Sequence, residues 1–455
     1  MLLYAPKLIN YYTIIMNRSQ GEKAVFVGAF FVHYTDNIHG FAVQFLKYPP
    51  CNIAMFVVEY ILYYYAEVCS ADVFRRLVPH TFSIRLNQER TQLCAARVKA
   101  MAKLRIAVLF GGASSEHDVS LISAYSVLTN IPKDKYEVIC IGITKKGHWM
   151  YYPGEYEDIR TGEWENNSDC CTAVISPDTM HKGIIVLGED ECVIRRVDAV
   201  FPVLHGANGE DGTVQGLCAL AGLPCVGCDM ISSADCMDKA VTHTILDAAG
   251  IKTAPYCYVT RSVMSDMDKA CEEIEAKLPT YPLFVKPACA GSSVGVSRAT
   301  DREGLKNGLK VAFAHCDKVV IETEIIGKEV ECAVLGNGSE LIASIPGQIT
   351  PAEEFYDYDA KYKLGTSVLD IPAKISEEQM NLLRDTAKRA YMAMGCSGFS
   401  RVDFFVTEDD IILNEINTIP GFTPISMYPK LMQNMGIEYG DLLDRLIELA
   451  IERNS

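Results

Sequence analysis

From Arg105 onward the chain switches between two hydrophobic periods. Ile106 to Phe110 is an unbroken apolar run, short enough for a strand buried on both faces, and Gly111-Gly112 turns it. Val119, Ile122, Val127 and Leu128 then recur at helical spacing behind Ser114 and Ser115, either of which suits a helix cap. Strands are predicted at 136–144 and 199–204, and a helix at 213–221 stops at Gly222. Strands alternating with helices predict an α/β fold whose parallel sheet is covered by helices.

A second stretch opens on a helix predicted over 233–249 and ended by Gly250, and a strand at 283–286 runs into a glycine-serine loop. A third has strands at 319–324, 330–335 and 341–345, then a polar, tyrosine-rich loop at 353–365. Ser376-Glu377-Glu378-Gln379 is a capping box, and Leu383, Ala387, Ala390, Tyr391 and Met394 continue it at helical spacing. Two strands, 399–407 and 411–416, are joined by Glu408-Asp409-Asp410 as a hairpin, and a last helix covers 439–451. The expected division is an N-terminal domain at 101–225, a central one at 226–305 and a C-terminal one at 306–455 carrying the loop 353–365.

Residues 1–100 read differently. They are apolar in bursts without sustained period, and hold 10 Lys and Arg against 6 Asp and Glu in a chain whose net charge is −16. The run 53–66 is broken by Glu59 and is short for a membrane span, so no membrane association is expected; a membrane anchor within 1–100 is the alternative. Met101 looks like a natural start, so 1–100 are expected to be an upstream extension without a catalytic role. The acidic balance argues against a nucleic-acid partner, and 17 scattered cysteines point to a reducing cytoplasm. Cys225 and Cys228 have half-zinc-site spacing with no second pair to complete it, which favours a buried structural role.

The densest chemistry is in the hairpin. Asp403 is followed after twelve residues by Glu415 and Asn417, which share a strand face, and Arg401 precedes them. Two carboxylates and an amide suit a hard cation such as Mg²⁺ together with phosphate oxygens, and an arginine suits developing negative charge. Read alone, the same residues are also a solvated acidic turn. In 286–295, Lys286 ends a strand and Gly291, Ser292, Ser293 and Gly295 form a loop that can cradle phosphate or merely connect elements. Lys239 follows Asp238 on the predicted helix, where a lysine is ordinarily solvated. Glu322, Glu324, Ile325 and Glu329 lie at a strand end able to take an adenine and ribose hydroxyls, or simply polar. His205-Gly206-Ala207-Asn208-Gly209-Glu210-Asp211-Gly212 lies at the carboxyl end of a strand, where open α/β sheets bind ligands. Glu116 lies at a helix N-terminus, where an acid complements the dipole or binds an ammonium.

Together, in order, these motifs resemble the D-alanine–D-alanine ligase family of the ATP-grasp group. The resemblance runs through 111–120, His205 to Gly212, Met237-Asp238-Lys239, Lys286 to Gly295, 353–362, Arg401 to Asp403 and 414–423. It implies a three-domain ATP-grasp architecture with a Rossmann-like N-terminal domain, cytoplasmic and commonly dimeric. It implies joining of two D-alanines with ATP cleavage, through an acyl phosphate, for peptidoglycan precursor synthesis. Asp403, Glu415 and Asn417 are implied to hold two Mg²⁺ ions, with Mn²⁺ as a substitute. Lys239, Lys286, Ser293, Glu322, Glu324, Ile325, Glu329, Lys361 and Asn414 are implied to hold ATP. Arg401 and the Gly421 N–H are implied to form the oxyanion hole, and Glu116, Ser292 and Tyr362 a network beneath the lid at 353–365. Val119 and His205 belong by the same carry-over to the first D-alanine, and Ser426 and Met427 to the second. D-alanine–D-serine ligases share most of these motifs. The intact lid weighs against a D-lactate product. A nucleotide-binding regulatory module would lack one of the metal ligands or Arg401, and all are present.

Overall fold

Three sheets organise the chain from Leu104 onward, each following from a different apolar pattern. The computed structural model describes residues 11–17, 23–29, 103–188, 191–350 and 368–454. It divides into two compact units, Met1–Ala100 and Met101–Ser455. In the first, strands β1 (Tyr11–Asn17) and β2 (Lys23–Ala29) pair antiparallel.

In the second unit, β3 (Leu104–Gly111) is the apolar run, and Ile106 to Phe110 are fully buried. It is central because it pairs in parallel on both sides, with β4 (Tyr136–Ile143) and β9 (Ala199–Val203). The sheet then continues from β4 through β5 (Trp149–Tyr152), β6 (Cys171–Ile175), β7 (Gly183–Leu187) and β8 (Cys192–Arg196), all antiparallel, giving seven strands. Sequence patterning predicts only its parallel part. The outer strands are short, and all five residues of β8 are exposed, so no periodic apolar face marks them. Helix α1 (His117–Asn130) buries Val119, Leu121, Ala124, Val127 and Leu128, but Ile122, expected on the buried face, is exposed. Its N-cap is Glu116 rather than a serine; Ser114 Oγ instead accepts the Glu116 N–H at 3.2 Å.

The helix predicted over 233–249 is two helices, α2 (Met230–Met237) and α3 (Lys239–Ala248). Asp238 separates them with extended backbone and accepts from the N–H groups of Ala240 and Val241. An aspartate that caps is worth about 1 kcal/mol there, more than it contributes inside a helix. Lys239 is therefore the first residue of a helix, not a mid-helix surface lysine.

The second sheet is antiparallel and four-stranded, in the order β10 (Tyr256–Thr260), β13 (Lys318–Thr323), β11 (Leu283–Pro287), β12 (Ser297–Ala299). Its core of Leu283, Val285, Leu305, Leu309, Phe313, Val319 and Ile321 lies against α4 (Arg302–Phe313). The third sheet is six-stranded. β14 (Lys328–Asn337) pairs with β15 (Glu340–Ala343), β16 (Gly347–Thr350) and β18 (Gly398–Val406); β16 pairs with β17 (Val368–Asp370), and β18 with β19 (Ile411–Asn417). The capping box opens α5 (Glu377–Ala393), with both reciprocal hydrogen bonds formed. Helix α6 (Tyr439–Arg453) buries Leu442, Leu443, Leu446 and Ile447 in one core with Ile106, Val108 and Phe110 of the first sheet and Ala333 and Leu335 of the third. No helix among the described residues is long and apolar enough to cross a membrane.

Candidate active site

The hairpin forms as its pattern requires, with one refinement. Register pairs Arg401 with Asn417 and Asp403 with Glu415, so these four side chains share one face. Phe404 then pairs with Leu413, which leaves Asn414 as the extra residue of a bulge at the rim. Arg401 donates to both oxygens of Asp403 at 2.8 Å. Asn417 Nδ2 donates to Asp403 Oδ2 at 2.9 Å and reaches Glu415 Oε1 at 3.5 Å. The Arg401 and Asp403 side chains are only 16% and 14% exposed, so their charges are poorly screened by water.

A carboxylate from the neighbouring strand, absent from the sequence reading, completes this floor. Glu331 lies opposite Asp403 in the register of β14 and β18. It is buried, and its Oε2 is 3.0 Å from Arg401 Nε. Its signal was present: Glu329 and Glu331 alternate with apolar Val330 and Cys332, which puts both acids on one face.

The other functional residues come from the first and second sheets. Ser292 Oγ donates to Glu116 Oε1 at 2.5 Å. Glu116 is buried and needs neighbours without side chains: a Cβ on Gly206 would lie 2.5 Å from its Oε2, and Gly206 has φ +72° besides. Ser292 and Ser293 have φ +49° and +59°, a left-handed conformation that costs a non-glycine residue on the order of 1 kcal/mol. Such strain marks a loop whose course is imposed by what it faces.

His205 is buried at the end of β9's strand direction. Its Nδ1 lies 3.2 Å from the Ile419 carbonyl and its Nε2 3.0 Å from Ser123 Oγ. Burial pushes its pKa down, against a smaller opposing pull from Glu116. A neutral ring with the proton on Nδ1 satisfies both contacts, and it ties α1 to the loop that carries Gly421. Glu210, not singled out from the sequence, accepts the Gly206 N–H at 3.1 Å; burial, then repulsion from Glu116, holds its carboxyl well above the usual range.

On the second sheet, Lys239 Nζ donates to the Ala290 carbonyl at 2.8 Å and so pins the start of the 291–295 loop. Lys286 forms an ion pair with Glu322, whose other oxygen is 2.8 Å from His243 Nε2. Burial alone would raise the Glu322 carboxyl, but Lys286 and His243 pull it down to about 2. Glu322 is therefore an internal partner of Lys286, and His243 on α3 is a participant that sequence spacing did not mark. Glu324 pairs with Arg298 through bonds of 2.6 and 2.9 Å. Ile325 and Glu329 are half-buried at the opening of the same strand connection.

Beyond the hairpin, Gly421 is half-buried, and a Cβ there would meet Ser426 Oγ at 2.7 Å. Ser426 Oγ accepts the Thr423 N–H at 3.0 Å. Val119 is buried, and Met427 is buried in one core with Phe422 and Tyr428. Tyr362, Lys361 and the lid 353–365 lie outside the described residues.

Comparison with known proteins matches residues 105–228 to the family model for the D-ala D-ala ligase N-terminus and 245–448 to that for its C-terminus. A D-alanine–D-alanine ligase of Caldicellulosiruptor bescii is 49% identical over 357 residues, 78% of this chain and 97% of that protein. One from Acetivibrio thermocellus is 48% identical over 365 residues, 77% of this chain and 96% of that protein. Among solved structures, the VanG D-Ala:D-Ser ligase from Enterococcus faecalis superposes with a TM-score of 0.71 at 44% identity, covering 77% of this chain and all of that one (100%). A Bacillus anthracis D-alanine–D-alanine ligase complexed with ATP gives 0.57 at 28% identity over 77% of this chain and 98% of that one.

Proposed function

The chain belongs to the D-alanine–D-alanine ligase family of ATP-grasp enzymes, and from that membership we propose that it joins two D-alanine molecules with cleavage of ATP to ADP and phosphate. The observation that carries the reading is the convergence of Arg401, Asp403, Glu415 and Asn417 on one hairpin face. The first D-alanine carboxylate attacks the γ-phosphate and ADP leaves. The amine of the second attacks the resulting acyl carbon, loses a proton, and phosphate departs.

Each side chain has a part that its position supports. Glu116, held by Ser292, receives the ammonium of the first D-alanine. Lys239 and Lys286 offset nucleotide phosphate charge, with Lys286 aimed by Glu322. Ser293, Glu324, Ile325, Glu329 and Asn414 are assigned to the nucleotide, and Ser426 to the second amino acid, by the family resemblance. Arg401 and the Gly421 N–H stabilise the tetrahedral oxyanion; such donors are worth about 3–4 kcal/mol each. Lys361 and Tyr362, outside the described residues, are assigned by the family resemblance alone to excluding water from the acyl phosphate.

The donor set fits Mg²⁺ or Mn²⁺: Asp403, Glu415 and Asn417 offer hard oxygen ligands on one strand face. When bound there, the metal supplies charge neutralisation for the transferring phosphoryl group. We extend the proposal to a cytoplasmic homodimer of three lobes, 101–225, 226–305 and 306–455, serving peptidoglycan precursor synthesis. D-serine at the second position is the alternative that the 44% identity to a D-Ala:D-Ser ligase favours. Phosphate release with D-alanine alone, against D-alanine plus D-serine, with products separated by mass, distinguishes the two; no dipeptide in either mixture overturns the proposal.

A further inference from the structure

We propose that Glu331 is the positioning residue that keeps Arg401 aimed at the reacting carbonyl when Asp403 turns to the metal; this rests on the ligase reading. Asp403 faces two demands. Both its oxygens are engaged by Arg401 at 2.8 Å, yet it is also a candidate ligand on the floor. A carboxylate cannot give its best geometry to a guanidinium fork and to a hard cation together.

Glu331 resolves the conflict. It sits directly across from Asp403 on β14, and its Oε2 is 3.0 Å from Arg401 Nε. Directly opposed carboxylates repel, and a buried carboxylate is costly unless paired, so packing alone gives no reason for an acid at this position. Its side chain is 9% exposed, against 16% for Arg401 and 14% for Asp403, so it is the most enclosed of the three. β14 is an interior strand, paired on one side with β16 and β15 and on the other with β18, and it is fixed at Glu331 by Gly347 and Asp403. An acid on such a strand holds the guanidinium while Asp403 is occupied.

The test compares full-length wild type with Glu331→Gln, Glu331→Asp and Asp403→Asn. Steady-state kcat and KM for ATP and D-alanine are measured, with the Mg²⁺ concentration giving half-maximal rate. The affinity of a dipeptide phosphinate, tetrahedral where the attacked carbonyl would be, is measured by calorimetry with ATP present. Glu331→Gln is expected to lower kcat about 10- to 100-fold, part of what loss of an oxyanion donor costs. It is expected to weaken the phosphinate equally, while KM for ATP and the Mg²⁺ requirement hold. Glu331→Asp, which keeps charge but loses reach, should fall between it and wild type, and it supplies the answer if the glutamine variant does not fold. Asp403→Asn should raise the Mg²⁺ requirement. Wild-type kcat and phosphinate affinity in Glu331→Gln and Glu331→Asp overturn the inference. So does a raised Mg²⁺ requirement matching Asp403→Asn, which makes Glu331 a metal ligand. Absence of dipeptide from the wild type fails the ligase reading itself, a separate result.

Discussion

Ser292 donates its hydroxyl proton to Glu116 across 2.5 Å, although 176 residues of chain separate them. The bond joins the first helix, packed on the seven-stranded sheet, to a loop leaving the four-stranded one. Glu116 is thereby fixed in one rotamer before any substrate arrives. Preorganisation of this kind spares the cost of ordering the carboxylate at the moment of binding.

Ser292→Ala should therefore lower kcat/KM for D-alanine. A hydrogen bond to a charged group is worth about 1.5–3 kcal/mol, or roughly 10- to 100-fold. Glu116→Gln should cost at least as much, and the double variant should lose less than the sum. Additive losses in that cycle would show that the pair does not act as a unit.

Arg401→Met should reduce kcat by about 10²- to 10³-fold while leaving ADP binding intact, because its charge is needed as the carbonyl becomes tetrahedral. Loss of ADP affinity in step with kcat would place Arg401 in ground-state nucleotide binding instead.

Glu322 carries a pH signature. Its folded pKa of about 2 lies below the ordinary 4.5, so the stability it contributes is fully present above 4.5 and lost as pH falls toward 2. Glu322→Gln leaves the half-buried Lys286 without its carboxylate, which costs up to about 3 kcal/mol. The melting temperature should drop at pH 7, and the gap to wild type should narrow below pH 4.5. A gap independent of pH would contradict the ion-pair account.

His205 acts in the other half of the chain with the same sign. Its folded pKa is lowered by burial from 6.5, so at acid pH the unfolded chain takes up a proton that the native one resists. Its contribution is fully present above 6.5 and is lost as pH falls. Chemical denaturation from pH 8 to 5 should show stability falling below about 6.5. His205→Asn should flatten that slope; an unchanged slope would assign it to other groups.

Chelation should stop turnover and Mg²⁺ restore it. Glu415→Gln should raise the Mg²⁺ concentration needed without lowering the melting temperature. An unaltered Mg²⁺ requirement would remove Glu415 from the ligand set.

Local pattern made much of this legible. The spacing predicted that Glu415 and Asn417 share a strand face and that the hairpin brings Asp403 to them, and the capping box at Ser376 formed as written. What failed depended on contacts distant in sequence. Asp238 reads as one more polar residue in a helical run, but it breaks that run because the two helices turn around it to bring Lys239 to Ala290. The outer strands are hard to read because β6 and β7 carry apolar residues on both faces, although only Ala173, Ile175, Ile184 and Val186 enter the core, and β8 is exposed throughout. Local pattern gives no sign of the partners of Glu322 and Glu331; only the pairing of β13 with β11 and of β14 with β18 brings them to Lys286 and Arg401.

The most direct test of the central claim follows an oxygen atom. If the carboxylate of the first D-alanine attacks ATP, one of its oxygens must leave on the phosphate when the peptide bond forms. The full chain is incubated with ATP and D-alanine labelled with ¹⁸O in the carboxyl group, and the released phosphate and dipeptide are analysed by mass. The account predicts D-alanyl-D-alanine together with phosphate carrying a single ¹⁸O atom. Dipeptide formed with unlabelled phosphate would contradict it.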